Sequence, residues 1–170
     1  MFMRSERLFL RPGWPEDWEE VLSQIADETV LPGLPETMAD PRLPQFLITL
    51  PTLAGPAPVI GWVALTRQAD ALVLAFWIAR QHRRQGYATE AGKAVLRVAA
   101  TLGHRRIIAH HFADNPASAR VLRKLGFCAT GQVGARHSPL RGESALAAEY
   151  AAVLDGPCDC DDDPAMRRAA

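Results

Sequence analysis

The chain has 170 residues, enough to bury one core and too few for two comfortable domains. Apolar residues make up 48% and charged residues 22%, the balance of a globular protein, and no apolar run nears the roughly 18 residues that a bilayer span needs. The 19 basic and 19 acidic side chains leave no global field to draw in nucleic acid or an anionic membrane, so a bound anion has to be held by local geometry.

The opening residues, with Phe2, Arg4 and Glu6, lack the apolar stretch of a secretory signal, and three cysteines do not suggest a disulfide framework. Cytoplasm is the expected compartment. Residues 5–11 (SERLFLR) alternate polar and apolar side chains as a half-buried strand does, and Pro12 and Gly13 break it. A helix follows, with Pro15 in its first turn and Glu16, Asp17, Glu19 and Glu20 near its positive end. Trp14, Trp18, Val21, Leu22 and Ile25 lie at helical spacing, and the tryptophans Trp14, Trp18 and Trp62 read as core. Residues 28–44 read as a lid or loop. Two strands are expected over 45–50 and 59–66, parted by breakers.

Residues 72–79 are continuously apolar, as in a strand covered on both faces. A polar turn (RQHRRQG) leads to a helix over 87–102 with one apolar stripe and Gly103 as its stop, and 106–112 (RIIAHHF) forms the next strand. Strand, helix, strand predicts a parallel pair with a right-handed crossover. A second helix is framed by Asn115 as N-cap, Pro116 at its first position and Gly126 at its end, with Val121 and Leu125 facing inward. Two strands, 127–136 and 145–154, close the domain through a turn at 138–142. Residues 155–170 (DGPCDCDDDPAMRRAA) read as a disordered acidic tail, leaving residues 1–154 as the domain.

Chemistry concentrates at Arg83-Arg84-Gln85-Gly86-Tyr87-Ala88, between a buried strand and a helix N-terminus. There the first helical N–H groups lack partners and carry partial positive charge; Gly86 lets a backbone come close, and Arg83 and Arg84 add charge. Neither a Walker A loop nor a dinucleotide fingerprint fits. The competing reading is a basic loop that only caps a helix.

This segment resembles the pyrophosphate signature of the GNAT N-acetyltransferase superfamily, Arg/Gln-x-x-Gly-x-Gly/Ala, matched by Arg83, Gly86 and Ala88. The N-terminal SERLFLRP and the stretch from Asn115 through Ser118 to Lys124-Leu125-Gly126-Phe127 are similar to the ribosomal-protein and small-molecule acetyltransferase branch. The resemblance implies a mixed α/β sheet, mostly antiparallel, with one parallel splayed pair flanked by helices. It implies transfer of an acetyl group from acetyl-CoA to an amine, a protein N-terminus or a small molecule, by direct attack. Pantetheine is then expected along the backbone of Trp77, Ile78 and Ala79, with the Ile78 N–H facing the thioester oxygen. Backbone amides from Arg84 through Gln85, Gly86 and Tyr87 to Ala88 would hold the pyrophosphate. Asn115 would bond pantetheine, and Lys124 would lie near the adenosine.

Where many relatives carry a tyrosine acid, this chain has Leu122, so Ser118, one turn earlier, is the substitute proton donor; the alternative is a Ser that only packs. His110 and His111 point to opposite faces of their strand, and His111 is the candidate base. His137, Glu143, Glu149 and Tyr150 could also reach the acceptor. Cys158 and Cys160 make an incomplete metal site, so no metal is expected, and Cys128 is not placed as a nucleophile. The expected partners are acetyl-CoA and an amine, without nucleic acid or membrane, in a monomer or homodimer. The rivals are a non-catalytic CoA-binding sensor or scaffold and a nucleotide-phosphate binder.

Overall fold

One eight-stranded sheet organises the chain, in the order β1-β2-β3-β4-β5-β6-β8-β7. The computed structural model describes residues 1–26, 43–53, 55, 57–138 and 143–154. The expected lid over 28–44, most of the turn at 138–142 and the tail from Asp155, including Cys158 and Cys160, lie largely or wholly outside them. The strands are β1 (Met3–Arg4), β2 (Phe9–Arg11), β3 (Gln45–Thr49), β4 (Val59–Gln68), β5 (Ala71–Ile78), β6 (Arg106–Phe112), β7 (Cys128–Ser138) and β8 (Glu143–Val153). The helices are α1 (Asp17–Ala26), α2 (Tyr87–Thr101) and α3 (Pro116–Lys124), with a 3-10 turn at Arg80–His82 before α2. Every pairing is antiparallel except β5 with β6, the pair that α2 connects.

Strand alternation sends side chains to two faces. Ile48, Ile60, Leu65, Leu74, Ile107 and Phe127 pack with Ala91 and Val95 of α2 and Leu122 of α3. Leu47, Trp62, Ala64 and Trp77 pack on the other face with Val21 of α1. The two faces are called here the α2/α3 face and the α1 face. Among the described residues, no helix is long and apolar enough to cross a membrane.

Several local expectations change. The strand expected over 5–11 is confined to β2, paired with β1 ahead of it, because residues 5–8 turn the chain, with the Ser5 N–H bonded to the Leu8 carbonyl (2.9 Å). Pro15 lies in a turn ahead of α1, where Arg11 grips Asp17 with two bonds of 2.6 Å and the Trp14 N–H donates to the same carboxylate. The bond from Arg11 holds the Asp17 carboxyl below its usual range, against the upward push of burial. Trp14 is not core: it is 46% exposed, with the Arg11 guanidinium over its ring. In α3 the buried positions are Ala119 and Leu122, while Val121 and Leu125 are half-buried, Leu125 filling the hollow left by Gly92 of α2. Against the expectation from the cysteine count, Cys128 is disulfide-bonded.

Candidate active site

The parallel pair opens. β5 and β6 are in register only at Val73↔Ile108 and Leu74↔Ala109, yet both strands run on, to Ile78 and Phe112. Ala75 and Phe76 are correspondingly half-exposed inside an otherwise buried strand. On its other edge β5 stays paired with β4 as far as Ile78↔Gly61, and the Ala79 N–H reaches the Ile60 carbonyl at 2.9 Å. Backbone groups alternate along an antiparallel ladder, so Trp77 and Ala79 turn theirs to β4, while Phe76 and Ile78 turn theirs to the gap. Of the three strand residues expected to meet pantetheine, only Ile78 turns its backbone to the gap, and Phe76, which sequence reasoning did not single out, turns its backbone there too. The Ile78 carbonyl accepts from Arg83 Nε at 2.8 Å, which leaves the N–H as its free gap-facing group.

The predicted loop follows directly. Arg84 (φ +63°) and Gly86 (φ +84°) are both left-handed, with Gly86 at the N-cap of α2 and no side chain capping the helix. Left-handed residues in such a turn aim successive N–H groups into one concavity, and an uncapped helix adds its orphan donors and its positive end. A left-handed arginine is strained by roughly 1–3 kcal/mol, a cost that recurs at ligand-binding turns. The Arg83 side chain closes the loop back onto β5, while Arg84 is exposed.

An unforeseen clasp steadies this loop. Arg7, in the turn between β1 and β2, sends Nη1 to the Gln85 carbonyl (3.0 Å), Nε to Glu90 (2.8 Å) and its guanidinium over the Tyr87 ring (4.8 Å). Glu90 also accepts from the Ser5 hydroxyl and the Arg7 backbone, each at 2.7 Å. Burial pushes the Glu90 carboxyl up, but these donors together outweigh it and hold the group below its usual range. Arg7 is 47% exposed, so solvent screens the pair. Arg7→Met should weaken binding of a diphosphate ligand at this loop about threefold to tenfold while leaving the domain folded; calorimetry decides it.

α3 begins at the open end of β6: the Asn115 N–H bonds the Phe112 carbonyl (2.8 Å), and Asn115 Oδ1 accepts from the Ser118 N–H (3.3 Å). Asn115 is thus a working N-cap, and its amide nitrogen remains for a ligand. Both residues are half-buried, and the Ser118 hydroxyl has no hydrogen bond among the described residues. Lys124 is exposed in the last turn of α3. His111 falls on the α2/α3 face, edge-on to Tyr150 (5.4 Å), with Nδ1 at 2.9 Å from the Phe112 carbonyl. His110 falls on the α1 face opposite Glu149. Among the described residues no cluster of His, Cys, Asp or Glu could hold a metal ion.

This arrangement can bind an elongated ligand whose diphosphate sits at the α2 N-terminus and whose tail runs into the gap beside Ile78. A family model described as an acetyltransferase (GNAT) domain matches residues 4–128. No curated protein matches the chain. Among solved structures, a GNAT-family acetyltransferase from Bacillus anthracis superposes with a TM-score of 0.72 at 24% identity, over 92% of this chain and 100% of that one. An acetyltransferase from Agrobacterium tumefaciens gives 0.71 at 21% identity, over 89% of this chain and 94% of that one. RimL, the ribosomal L7/L12 α-N-protein acetyltransferase solved with coenzyme A, gives 0.71 at 17% identity, covering 91% and 99%. At these identities the superpositions establish the fold, and the domain match establishes the family. The chain belongs to the GNAT acetyltransferase family.

Proposed function

From that membership, we propose that the chain transfers the acetyl group of acetyl-CoA directly to a primary amine, on a protein N-terminus or a small molecule. The observation that carries this is the coincidence, at one end of β5, of a gap-facing Ile78 N–H with an uncapped, left-handed loop at the start of α2. Pyrophosphate binds the loop amides from Arg84 to Ala88, and pantetheine enters the gap between Phe76 and Ile78 of β5 and the Asn115 amide of α3. The thioester oxygen then meets the Ile78 N–H, which strengthens its bond as charge develops on that oxygen. The amine nitrogen attacks the carbonyl carbon, the C–S bond breaks, and Ser118 gives its proton to the leaving thiolate while taking up the one that the nitrogen sheds. The disulfide at Cys128 leaves it no free thiol for a covalent intermediate.

Release of free thiol from acetyl-CoA tests this, with a tripeptide bearing a free α-amine, spermidine and free amino acids as acceptors. Turnover with one of these, competed by CoA and not by ATP, is expected. A second reading, a CoA-binding module without catalysis, is favoured by the buried Leu122 where relatives carry a tyrosine acid. CoA binding without thiol release from any amine would establish that reading instead.

Ser118→Ala should lower kcat about tenfold with little change in the KM for acetyl-CoA. A positioned general acid is typically worth ~10²–10⁴-fold, and water admitted beside the alanine recovers much of that. An unchanged kcat returns Ser118 to first-turn packing.

A further inference from the structure

Two buried side-chain polar atoms lack a hydrogen-bond partner among the described residues, Trp62 Nε1 and His110 Nε2. Both lie on the α1 face, Trp62 on β4 and His110 on β6, with β5 between them. His110 is the first β6 residue beyond the last pair with β5, so it lines the gap where the gap begins. A buried donor without a partner is costly in a finished core. Of the two, only His110 borders the gap, because β4 stays paired with β5 beside Trp62.

The surroundings of His110 are those of an oriented imidazole. Its Nε2 lies 3.6 Å from Oε2 of Glu149, its cross-strand partner, with both side chains 10% exposed. Glu149 is fixed in turn by the Thr130 hydroxyl, 3.2 Å from Oε1, and by Arg136 Nη2, 3.6 Å from Oε2. From β5 the neighbours on this face are Ala75 and Trp77, which carry no charge. Nε2 faces Glu149, so the other ring nitrogen, Nδ1, is the one assigned to an incoming group. Burial and the Arg136 charge push the imidazole below its ordinary value, against the pull of Glu149, so the ring is neutral at pH 7 and able to accept a proton.

The cofactor loop and α3 belong to the opposite face, so the side of the thioester left open to a nucleophile is the α1 face. We propose that His110 is the catalytic base, taking the ammonium proton of the acceptor through Nδ1, with Glu149 as the residue that positions the ring. It follows that the acceptor arrives as a cation. This rests on the acetyl-transfer reading above. One proton of the ammonium passes to Nδ1, and the freed lone pair forms the N–C bond. As the C–S bond breaks, the second nitrogen proton goes to the thiolate side. The products are an amide, CoA thiol and an imidazolium that returns its proton to water.

The test compares wild type with His110→Gln, using the tripeptide and spermidine as cationic acceptors and hydroxylamine, already neutral at pH 7, as the control. For wild type, kcat/KM should rise with pH to a plateau set by a group below the usual histidine range. His110→Gln should lose that limb and follow the neutral fraction of the amine, a drop of about tenfold at pH 7 for an α-amine. Its reaction with hydroxylamine and its affinity for CoA should stay near wild type. Glu149→Gln should move the wild-type limb to lower pH, because it removes the partner that stabilises the cation, and Arg136→Gln should move it higher. A wild-type limb retained in His110→Gln overturns the proposal, as does an equal loss with hydroxylamine, which would mean a structural role. If the glutamine variant fails to fold, absence of the two opposite shifts overturns it. Wild-type protein that binds no CoA removes the parent reading and this one with it.

Discussion

Replacing Gly86 by valine should weaken coenzyme A binding at least ~10²-fold while leaving the domain folded. Gly86 sits at φ +84°, a conformation that a β-branched residue adopts only under strain. Steric crowding is not the cause: an added Cβ would meet only the tip of the Arg7 side chain, at 3.4 Å. The valine would instead drive the backbone out of the left-handed region and turn the N–H groups of the loop away from their common centre. Two or three charge-assisted bonds to phosphate lost together correspond to that affinity change, about 3 kcal/mol. Gly86 is exposed and outside the core clusters, so the thermal midpoint should move by only a few degrees. Arg84→Ala makes the complementary point. Its side chain is exposed, and the proposed phosphate contacts come from the backbone, so it should cost far less than Gly86→Val. Calorimetric affinity within twofold of wild type in Gly86→Val would remove the loop from the cofactor site.

Legibility in the sequence divides along a physical line. Features written in consecutive residues were readable. The Arg83-to-Ala88 turn between an apolar run and a helical stripe predicts the loop, and Asn115, Pro116 and Gly126 frame α3 with the cap bond that the structure contains. The parallel pairing of β5 with β6 follows from a strand, a helix and a strand in succession. Features that depend on register or on distant contacts were not readable. Which β5 residues face the gap is decided by the ladder to β4: one step of register would have offered Trp77 and Ala79 in place of Phe76 and Ile78. Alternation alone says that His110 and His111 diverge, but not which of them shares a face with Glu149. That needs the β6–β8 register, set by partners far apart along the chain, such as Ile107↔Ala152 and His110↔Glu149. Arg7 and Glu90 are separated by 83 positions, and a sequence places them together only once the sheet exists. The turn after β1 has the same origin, since the Ser5 hydroxyl that accepts from the Leu8 N–H is also held by Glu90.

Gly61 gives the last and most discriminating expectation, at a position with no signature in the sequence. It lies opposite Ile78 in the β4–β5 ladder, where a Cβ would stand 2.9 Å from Ile78 Cδ1, 3.1 Å from Ile78 Cα, and closer still to the Trp77 carbonyl oxygen. Side-chain ends can swing away, but a carbonyl inside a ladder moves only with its strand. Gly61→Ala should therefore push β5 toward the gap, at an overpacking cost of about 1–3 kcal/mol, read as a lowered Tm. The displaced group is the Ile78 N–H. A donor moved by about 1 Å from a developing oxyanion can cost ~10²-fold in rate, so kcat should collapse. Coenzyme A affinity should fall much less, because the loop is anchored separately through Arg7, Glu90 and the start of α2. The two glycine variants thus separate the two halves of the proposed site: Gly86→Val loses binding in a stable protein, and Gly61→Ala loses turnover in a protein that still binds. Calorimetry, thermal melting and thiol release on both decide it. A Gly61→Ala protein with lowered Tm and wild-type kcat would show that the Ile78 N–H is not the group that stabilises the transition state.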